Sequence, residues 1–402
     1  MLGAERQKVV IIGHGTTSRL GIVRALGPLG YHITVIVMVP FRRDGKALQT
    51  KRPFDCYSKY IDRCFYHYAK DGDGLIQLLI DKCSDPKQKV IILPDSDFSA
   101  VTIDDNREKL APFFLFPFVR NGSVRHWMDK EVQKSLAREL GLNVAASHSV
   151  TVSSGKYTIP EGIAYPCFTK ALMTLSGGKQ LFKRCDDPAA LCAQLERIGQ
   201  KQDTTVLIED FKEIDTEYAV LGCSDGKEVV IPGVIKFISN TSSHFGIALK
   251  GIVVPIDGFE EMIARFKAFV LRVGFVGVFD IDFYESGGSM YFGEMNLRFG
   301  GSGYAITKLG VNLPDMLVRS LRGESIEEMP KMVPSSATYV NERMCIDDWY
   351  RGFLTTKQYK QVVHSADISF VRDPEDPLPE RQFKRERRQL GLVRAVKRLI
   401  KG

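Results

Sequence analysis

The chain has eight cysteines without a CxxC pair, and seven histidines without HxH or HExxH spacing. Cysteines scattered at 56, 64, 83, 167, 185, 192, 223 and 345 argue for reduced thiols, not a disulfide frame or a zinc cage. No apolar run reaches the ~18 residues that spanning a bilayer requires. The first residues, MLGAERQKVVIIGHG, run straight into a strand and lack the apolar core and cleavage site of a signal peptide. These absences point to a cytoplasmic protein. The body also lacks net charge. Residues 380–402 hold nine basic and two acidic residues, which accounts for the whole +7 of the chain. The other 46 basic and 46 acidic residues cancel, so no nucleic-acid-binding body is expected. What is present is ordinary for a globular protein: 44% hydrophobic and 26% charged residues over 402 positions, enough for two or three domains with proper cores.

Local patterns organise the chain. KVVII at 8–12 is an all-apolar strand that leads through Gly13-His14-Gly15 into a helix from about Leu20 to Leu29. Strands at 32–39 and 89–94 follow, and the second ends in Asp95-Ser96-Asp97. Strand, glycine turn, helix and strand predict an open parallel α/β sheet over residues 1–125. Ser18 stands where a GxGxxG motif needs its third glycine, which speaks against a dinucleotide site. A structural turn, or a surface of a shared cleft, remains. Residues 127–141 predict a helix, 165–170 a short strand ending in Lys170, and 205–211 an apolar strand ending in Glu209, Asp210 and Phe211. Antiparallel strands are expected at 217–221 and 228–237, and an amphipathic helix at 259–273. DPEDPLP at 373–379 reads as a proline-punctuated linker before the basic tail.

The densest signal is GFVGVFDIDFYESGGSMYFGEMNLRFGGSG at 274–303. Asp280 and Asp282 alternate with Phe279, Ile281 and Phe283, so a strand puts both carboxylates on one face. After the Gly287-Gly288 turn, a second strand delivers Glu294, Asn296 and Arg298 at two-residue steps. Three carboxylates, an amide and a guanidinium then meet. Hard oxygen ligands suit Mg²⁺, which is usually held by one or two carboxylates plus substrate phosphates. A neighbouring arginine suits a phosphoryl group in transit.

Read in order, Lys130, Lys170, the Ser176-Gly177-Gly178 loop, Glu209 and this hairpin resemble the ATP-grasp superfamily over about residues 8–320. That superfamily includes biotin carboxylase, carbamoyl phosphate synthetase, D-alanine–D-alanine ligase and D-aspartate ligase. The resemblance implies an N-terminal α/β domain with an open parallel sheet over 1–125, followed by α+β ATP-grasp lobes over 126–330. A smaller lobe at about 150–210 would carry the glycine loop, and a C-terminal extension would span 331–372. By the same resemblance, Lys130 and Lys170 are the nucleotide lysines, and Ser176, Gly177 and Gly178 the loop that closes over the phosphates. Glu209, Asp210 and Phe211 are the hinge at the adenine edge, and Glu217 meets the ribose. Asp282, Glu294 and Asn296 are the magnesium ligands, able to take Mn²⁺ as well, and Arg298 is the catalytic arginine. Three departures stand out. Asp282 sits where glutamate is common, Asp280 is an extra carboxylate suited to metal or to a substrate amine, and the short glycine loop leaves Lys179 as a further phosphate contact.

The expected activity is therefore an ATP-dependent, ADP-forming ligation of a carboxylate to an amine through an acyl phosphate, most like D-aspartate ligase and related amino-acid or peptide ligases. Gly300-Gly301-Ser302-Gly303 is the expected acceptor-side loop. Carbamoyl-phosphate-type chemistry is one alternative, and a nucleotide-binding regulatory protein on a degenerate fold is another. The complete Asp/Glu/Asn/Arg set argues against the second. In the tail, Leu392, Val396, Leu399 and Ile400 recur at helical spacing among Arg394, Lys397, Arg398 and Lys401. Such a helix either lies on an anionic membrane, at its inner face, or packs on the body with its basic side in water.

Overall fold

The computed structural model describes residues 6–39, 52–68, 72–173, 181–242 and 246–401, with side chains as far as residue 393. The glycine loop at 176–178, Lys179, and the side chains of Val396, Leu399, Ile400 and the four basic residues from Arg394 on lie outside the described residues.

Lys8–Gly13 (β1) is buried along nearly its whole length, as an apolar strand covered on both faces must be. Thr17–Leu26 (α1) follows it. His32–Met38 (β2), Ile61–His67 (β3), Val90–Pro94 (β4) and Phe114–Leu115 (β5) complete a parallel sheet in the order β3-β2-β1-β4-β5. Chain direction across the sheet reverses between β1 and β4. The loops after these two strands therefore meet at the carboxyl edge, where open α/β sheets place ligands. One loop is Gly13-His14-Gly15. The other is Asp95-Ser96-Asp97, where Ser96 caps the helix Asp97–Asp105 (α2).

Lys130–Glu139 (α3) begins at Asp129, whose side chain accepts from the N–H groups of Glu131 and Val132. Beyond it, Ser147–Val152 (β6), Cys167–Ala171 (β7), Lys183–Cys185 (β8) and Thr204–Asp210 (β9) form a four-stranded antiparallel sheet in the order β6-β9-β7-β8. Helix Pro188–Gly199 (α4) covers it, burying Leu191 and Leu195 against Val150, Val206 and Ile208.

Thr216–Ser224 (β10), Val234–Asn240 (β11), Ala248–Val254 (β12), Phe275–Ser286 (β13) and Ser289–Asn296 (β14) build the large sheet. Ala337–Val340 (β15) and Ile368–Ser369 (β16) extend it, so the order is β14-β13-β10-β11-β12-β15-β16. Phe279, Ile281 and Phe283 of β13 are buried beneath helix Glu260–Val273 (α5), whose Phe266 ring lies 5.3 Å from that of Phe283. The period of two leaves Asp280 and Asp282 on the opposite face. Residues 331–372 thus supply two strands and helix Glu342–Arg351 (α6).

The linker expected at 373–379 is not one. Arg24 of α1, fully buried, donates to Asp376 Oδ2, to the Asp376 carbonyl, and to the carbonyls of Phe370 and Val371, each at 3.0 Å. Asp376 also accepts from the Lys59 N–H at 3.0 Å, and Tyr304 donates to Asp373. The two aspartates that gave the segment a linker-like composition are the anchors that fix it to the body. Pro377 opens Pro377–Lys401 (α7), and both it and Pro379 sit in the first turn, where proline is tolerated. Phe383 of α7 is buried, its ring 5.0 Å from that of Phe54. Farther along, Gly391 lies against Trp349, and Leu392 and Val393 are 70% and 46% exposed. Among the described residues no helix is long and apolar enough to cross a membrane.

Removing one partner of a buried ion pair strands the other charge, at a cost of roughly 3–5 kcal/mol. Asp376→Ala should lower the unfolding free energy by that amount in urea titrations. A loss within the error of the measurement would show that Arg24 does not hold the segment.

Candidate active site

A cavity of about 700 Å³ lies between the four-stranded sheet and the large sheet. Phe168, Phe182 and Phe211 give one end an aromatic wall, and Lys130, Asp280, Asp282, Glu294 and Arg298 give the floor its charge. Thr17, Ser302, Asn341 and Met344 close the far end.

The hairpin register builds the floor. Asp282 faces Glu294 directly across the β13–β14 pair, and Asp280 faces Asn296. Helix α3 is locked to this hairpin by Gln133, whose side chain accepts from the Met295 N–H at 2.7 Å and donates to the Met295 carbonyl at 2.9 Å. That lock carries Lys130 onto Glu294, with which it pairs. Arg298 Nε donates to Asp97 Oδ1 at 2.8 Å, joining the hairpin to the N-terminal sheet. Its Nη2 donates to Asn296 Oδ1 at 3.3 Å, and Asn296 Nδ2 donates to Asp282 Oδ2 at 3.2 Å. Lys170 of β7 pairs with Glu209 of β9 at 2.7 Å, and Lys134 of α3 holds the same carboxylate.

The structure thus brings Lys130, Lys170, Glu209, Asp210, Phe211, Glu217, Asp282, Glu294, Asn296 and Arg298 to one cavity. Several already hold partners within the protein. Glu209 is neutralised by two lysines. The Phe211 N–H is donated to the Pro166 carbonyl at 3.0 Å, so this amide is not presented to the cavity. Phe211 instead has the Arg184 guanidinium 4.4 Å from its ring. Glu217 accepts from Asn240. Four contributors were missed. Lys134 had a visible signal, since it lies one helical turn beyond Lys130. Asp97 meets Arg298 across 201 residues of sequence, and Asn341 and Met344 come from a stretch without motifs; neither leaves a local trace.

Electrostatics divide the acids into two sets. Burial alone would raise Glu209 and Glu294; Lys170 and Lys134 for the first, and Lys130 for the second, outweigh it and hold both below the ordinary value. Asp282 has no lysine. Burial, then the charges of Asp280 and Glu294, push it well above the ordinary carboxylate range. Burial also lifts Asp280 to about 6, with Arg298 opposing. A site crowded with unrelieved negative charge is one that a cation would relieve. Asp282, Glu294 and the Asn296 amide are hard oxygen donors that fit Mg²⁺ or Mn²⁺. No group of three His, Cys, Asp or Glu among the described residues forms a ready cage, so a cation there would draw its remaining ligands from phosphate or water.

The Gly13-His14-Gly15 loop covers the Asp95 carboxylate instead of cradling a phosphate. A Cβ on Gly13 would lie 1.4 Å from Asp95 Oδ1, and one on Gly15 would lie 2.1 Å from Ser18 Oγ. Glycine is needed at both for close approach, and an acid beneath the loop disfavours an anion above it. The turn serves the shared cleft through Thr17.

No family model matches the chain. Over 206 residues, half of its length, it is 28% identical to the carbamoyl phosphate synthase large chain of Gemmatimonas aurantiaca. It spans only 19% of that relative's length. Its structure resembles the N5-carboxyaminoimidazole synthetase of Staphylococcus aureus at a TM-score of 0.61, with 15% identity over 87% of this chain and 86% of that one. It also resembles the L-amino acid ligase of Bacillus licheniformis at 0.59, with 16% identity over 83% and 80%.

Asp95 gives the site a pH signature. Burial raises its carboxyl from 3.8 to about 6, against the pull of Arg19. A raised carboxyl binds its proton more tightly in the fold, so its stabilisation is complete below about pH 4 and is lost as pH climbs through 6. Asp95→Asn escapes that loss. Urea unfolding at a series of pH values should show the variant gaining on the wild type between pH 4 and 7, by up to roughly 3 kcal/mol. A gap that stays constant with pH would exclude a buried charge at Asp95.

Proposed function

We propose that this chain, whose fold is that of the ATP-grasp enzymes, is an ATP-dependent, ADP-forming ligase joining a small carboxylate to an amine. One observation carries the reading. Asp282 and Glu294 face each other in register on the floor of a two-lobed cleft that Lys130, Lys170 and Arg298 also enter. We take 1–125 as a substrate-side domain, 126–330 as the nucleotide grip and 331–372 as the wall closing the acceptor end.

In this reading Phe168, Phe182 and Phe211 receive the adenine, and Glu217 the ribose. Lys130 and Lys170 exchange their carboxylate partners for phosphate oxygens, which accept from lysine as carboxylates do. Asp282, Glu294 and Asn296 would hold Mg²⁺, which offsets charge on the β- and γ-phosphates when bound. Arg298 lies beside them, held in place by Asp97, and stabilises the phosphoryl group as it moves to the substrate carboxylate. Cleavage of the γ-phosphate bond leaves ADP, and an acyl phosphate forms. An amine then displaces phosphate, giving an amide. The loop at 176–178 is assigned to excluding water from the acyl phosphate. The match to carbamoyl phosphate synthase covers too little of that protein to bring its substrates here.

Phosphate release, screened over pairs of amino acids and small carboxylates, tests this. Arg298→Gln should cut turnover by roughly 10²–10³-fold while nucleotide affinity changes little. Asp282→Ala and Glu294→Ala should abolish metal-dependent turnover. Full ATP-dependent turnover in either would falsify the metal assignment.

The partner of α7 belongs to the same proposal. It packs on Phe54 through Phe383 and on Trp349 at Gly391; exposed Leu392 and Val393 follow, and then the basic run of the sequence. Apolar residues mixed with lysine and arginine suit an anionic membrane surface better than nucleic acid, and in this reading the enzyme works at the inner face of a membrane. The full chain should sediment with phosphatidylserine vesicles at low salt and be left behind by phosphatidylcholine vesicles. Deleting 392–402, which spares the packed half, should remove the difference; equal sedimentation without those residues sinks the idea.

A further inference from the structure

The charges of the cavity nearly all have partners. Lys130 is met by Glu294, Lys134 and Lys170 by Glu209, and Arg298 by Asp97. Asp282 accepts from Asn296. Asp280 differs: its Oδ1 is sealed from water and accepts no hydrogen bond. A buried carboxylate left this way is costly, and a native fold retains one where something else completes it.

Its surroundings set it apart from Asp282. Asp280 is two residues before Asp282 on one strand, so their backbones lie about 6.6 Å apart along the sheet. Asp282 is opposite Glu294, whereas Asp280 is opposite Asn296, one step toward the far end. There it abuts the acceptor-side loop: a Cβ on Gly300 would lie 2.3 Å from Asp280 Oδ2. Across that loop, Ser302 donates to the Tyr339 hydroxyl at 3.1 Å. The rest of the far end, Thr17, Asn341 and Met344, is uncharged. Asp280 is therefore an acid at the junction of phosphate floor and acceptor end that feels the charge of Arg298 but forms no ion pair among the described residues.

We infer that Asp280 is the ammonium-recognising residue of this site, selecting a primary-amine acceptor by pairing with its positive charge. This rests on the ligase reading and deepens it. The incoming amine arrives as an ammonium ion, is held against Asp280 beside Gly300, and gives one proton to water before its nitrogen lone pair attacks the acyl carbon. The C–N bond forms as the C–O bond to phosphate breaks, and phosphate leaves with the electron pair and takes the nitrogen's second proton.

The test compares two nucleophiles on one activated carboxylate in full-length protein with MgATP. Amino acids bring an ammonium group; hydroxylamine is small and uncharged near neutral pH, and traps the acyl phosphate as a hydroxamate. In Asp280→Asn the ratio of amide to hydroxamate should fall by roughly 30-fold or more, through a raised KM for the amine. That corresponds to about 2 kcal/mol, the lower bound for a buried charge pair losing one partner. Asp280→Glu, which restores the charge, should recover part of it. Two results overturn the inference. In one, the ratio is unchanged. In the other, amide and hydroxamate fall together and Mn²⁺ affinity, read calorimetrically with ADP present, falls with them; Asp280 is then a metal ligand. If the wild-type chain yields neither product with any carboxylate, the ligase reading itself fails, and this inference with it.

Discussion

Gln133 gives and takes a hydrogen bond with the Met295 backbone, and the cleft takes its geometry from that exchange. A backbone peptide in a strand cannot shift without breaking its ladder, so the side chain that clasps it inherits the strand's rigidity. Helix α3 is thereby fixed to β14 at one point, and its two lysines follow. Lys130, three residues earlier, comes onto Glu294. Lys134, one residue later, comes onto Glu209 in the other sheet. A single neutral clasp thus sets the placement of charges on both sides of the cavity. It does so without a charge of its own, and so keeps its strength in salt.

The charged contacts around it form a different kind of bond. Each lysine or arginine suited to phosphate is already occupied by a carboxylate. Buried pairs of this sort contribute little net stability, because desolvation offsets most of the attraction. What they provide is a cavity whose cations are desolvated and aimed. A phosphate that enters exchanges one anionic partner for another, so its binding energy is a difference between two similar terms. On the proposed reading, Glu294 freed from Lys130 would become available to a cation in the same event, which would tie nucleotide and metal to each other.

Sequence made the hairpin legible because a period of two is short and strict. Once a strand is accepted, the common face of Asp280 and Asp282 follows, and a glycine turn brings Glu294 opposite. Lys134 could have been found by the same logic on a helix. Asp97 could not, since its partner is fixed by how the N-terminal sheet docks on the large one. The segment at 373–376 was misread for a physical reason. Aspartate and proline favour turns in water, and composition alone does not show that a buried guanidinium waits for those aspartates. The strand end Glu209-Asp210-Phe211 was legible as part of the cleft, but nothing in it tells that two lysines already hold the glutamate.

Arg24 bears on how the molecule is made. The carboxylate that neutralises it is made 352 residues after it. All ten residues of α1 are buried, one face under Tyr304 and the later helices. During synthesis the parallel sheet can collapse early, but an unpaired arginine and an uncovered helix must persist until the late segment emerges. The N-terminal sheet and the segment around Asp376 therefore cannot be shuffled as independent modules. The helix is completed only by a segment made 352 residues after its arginine.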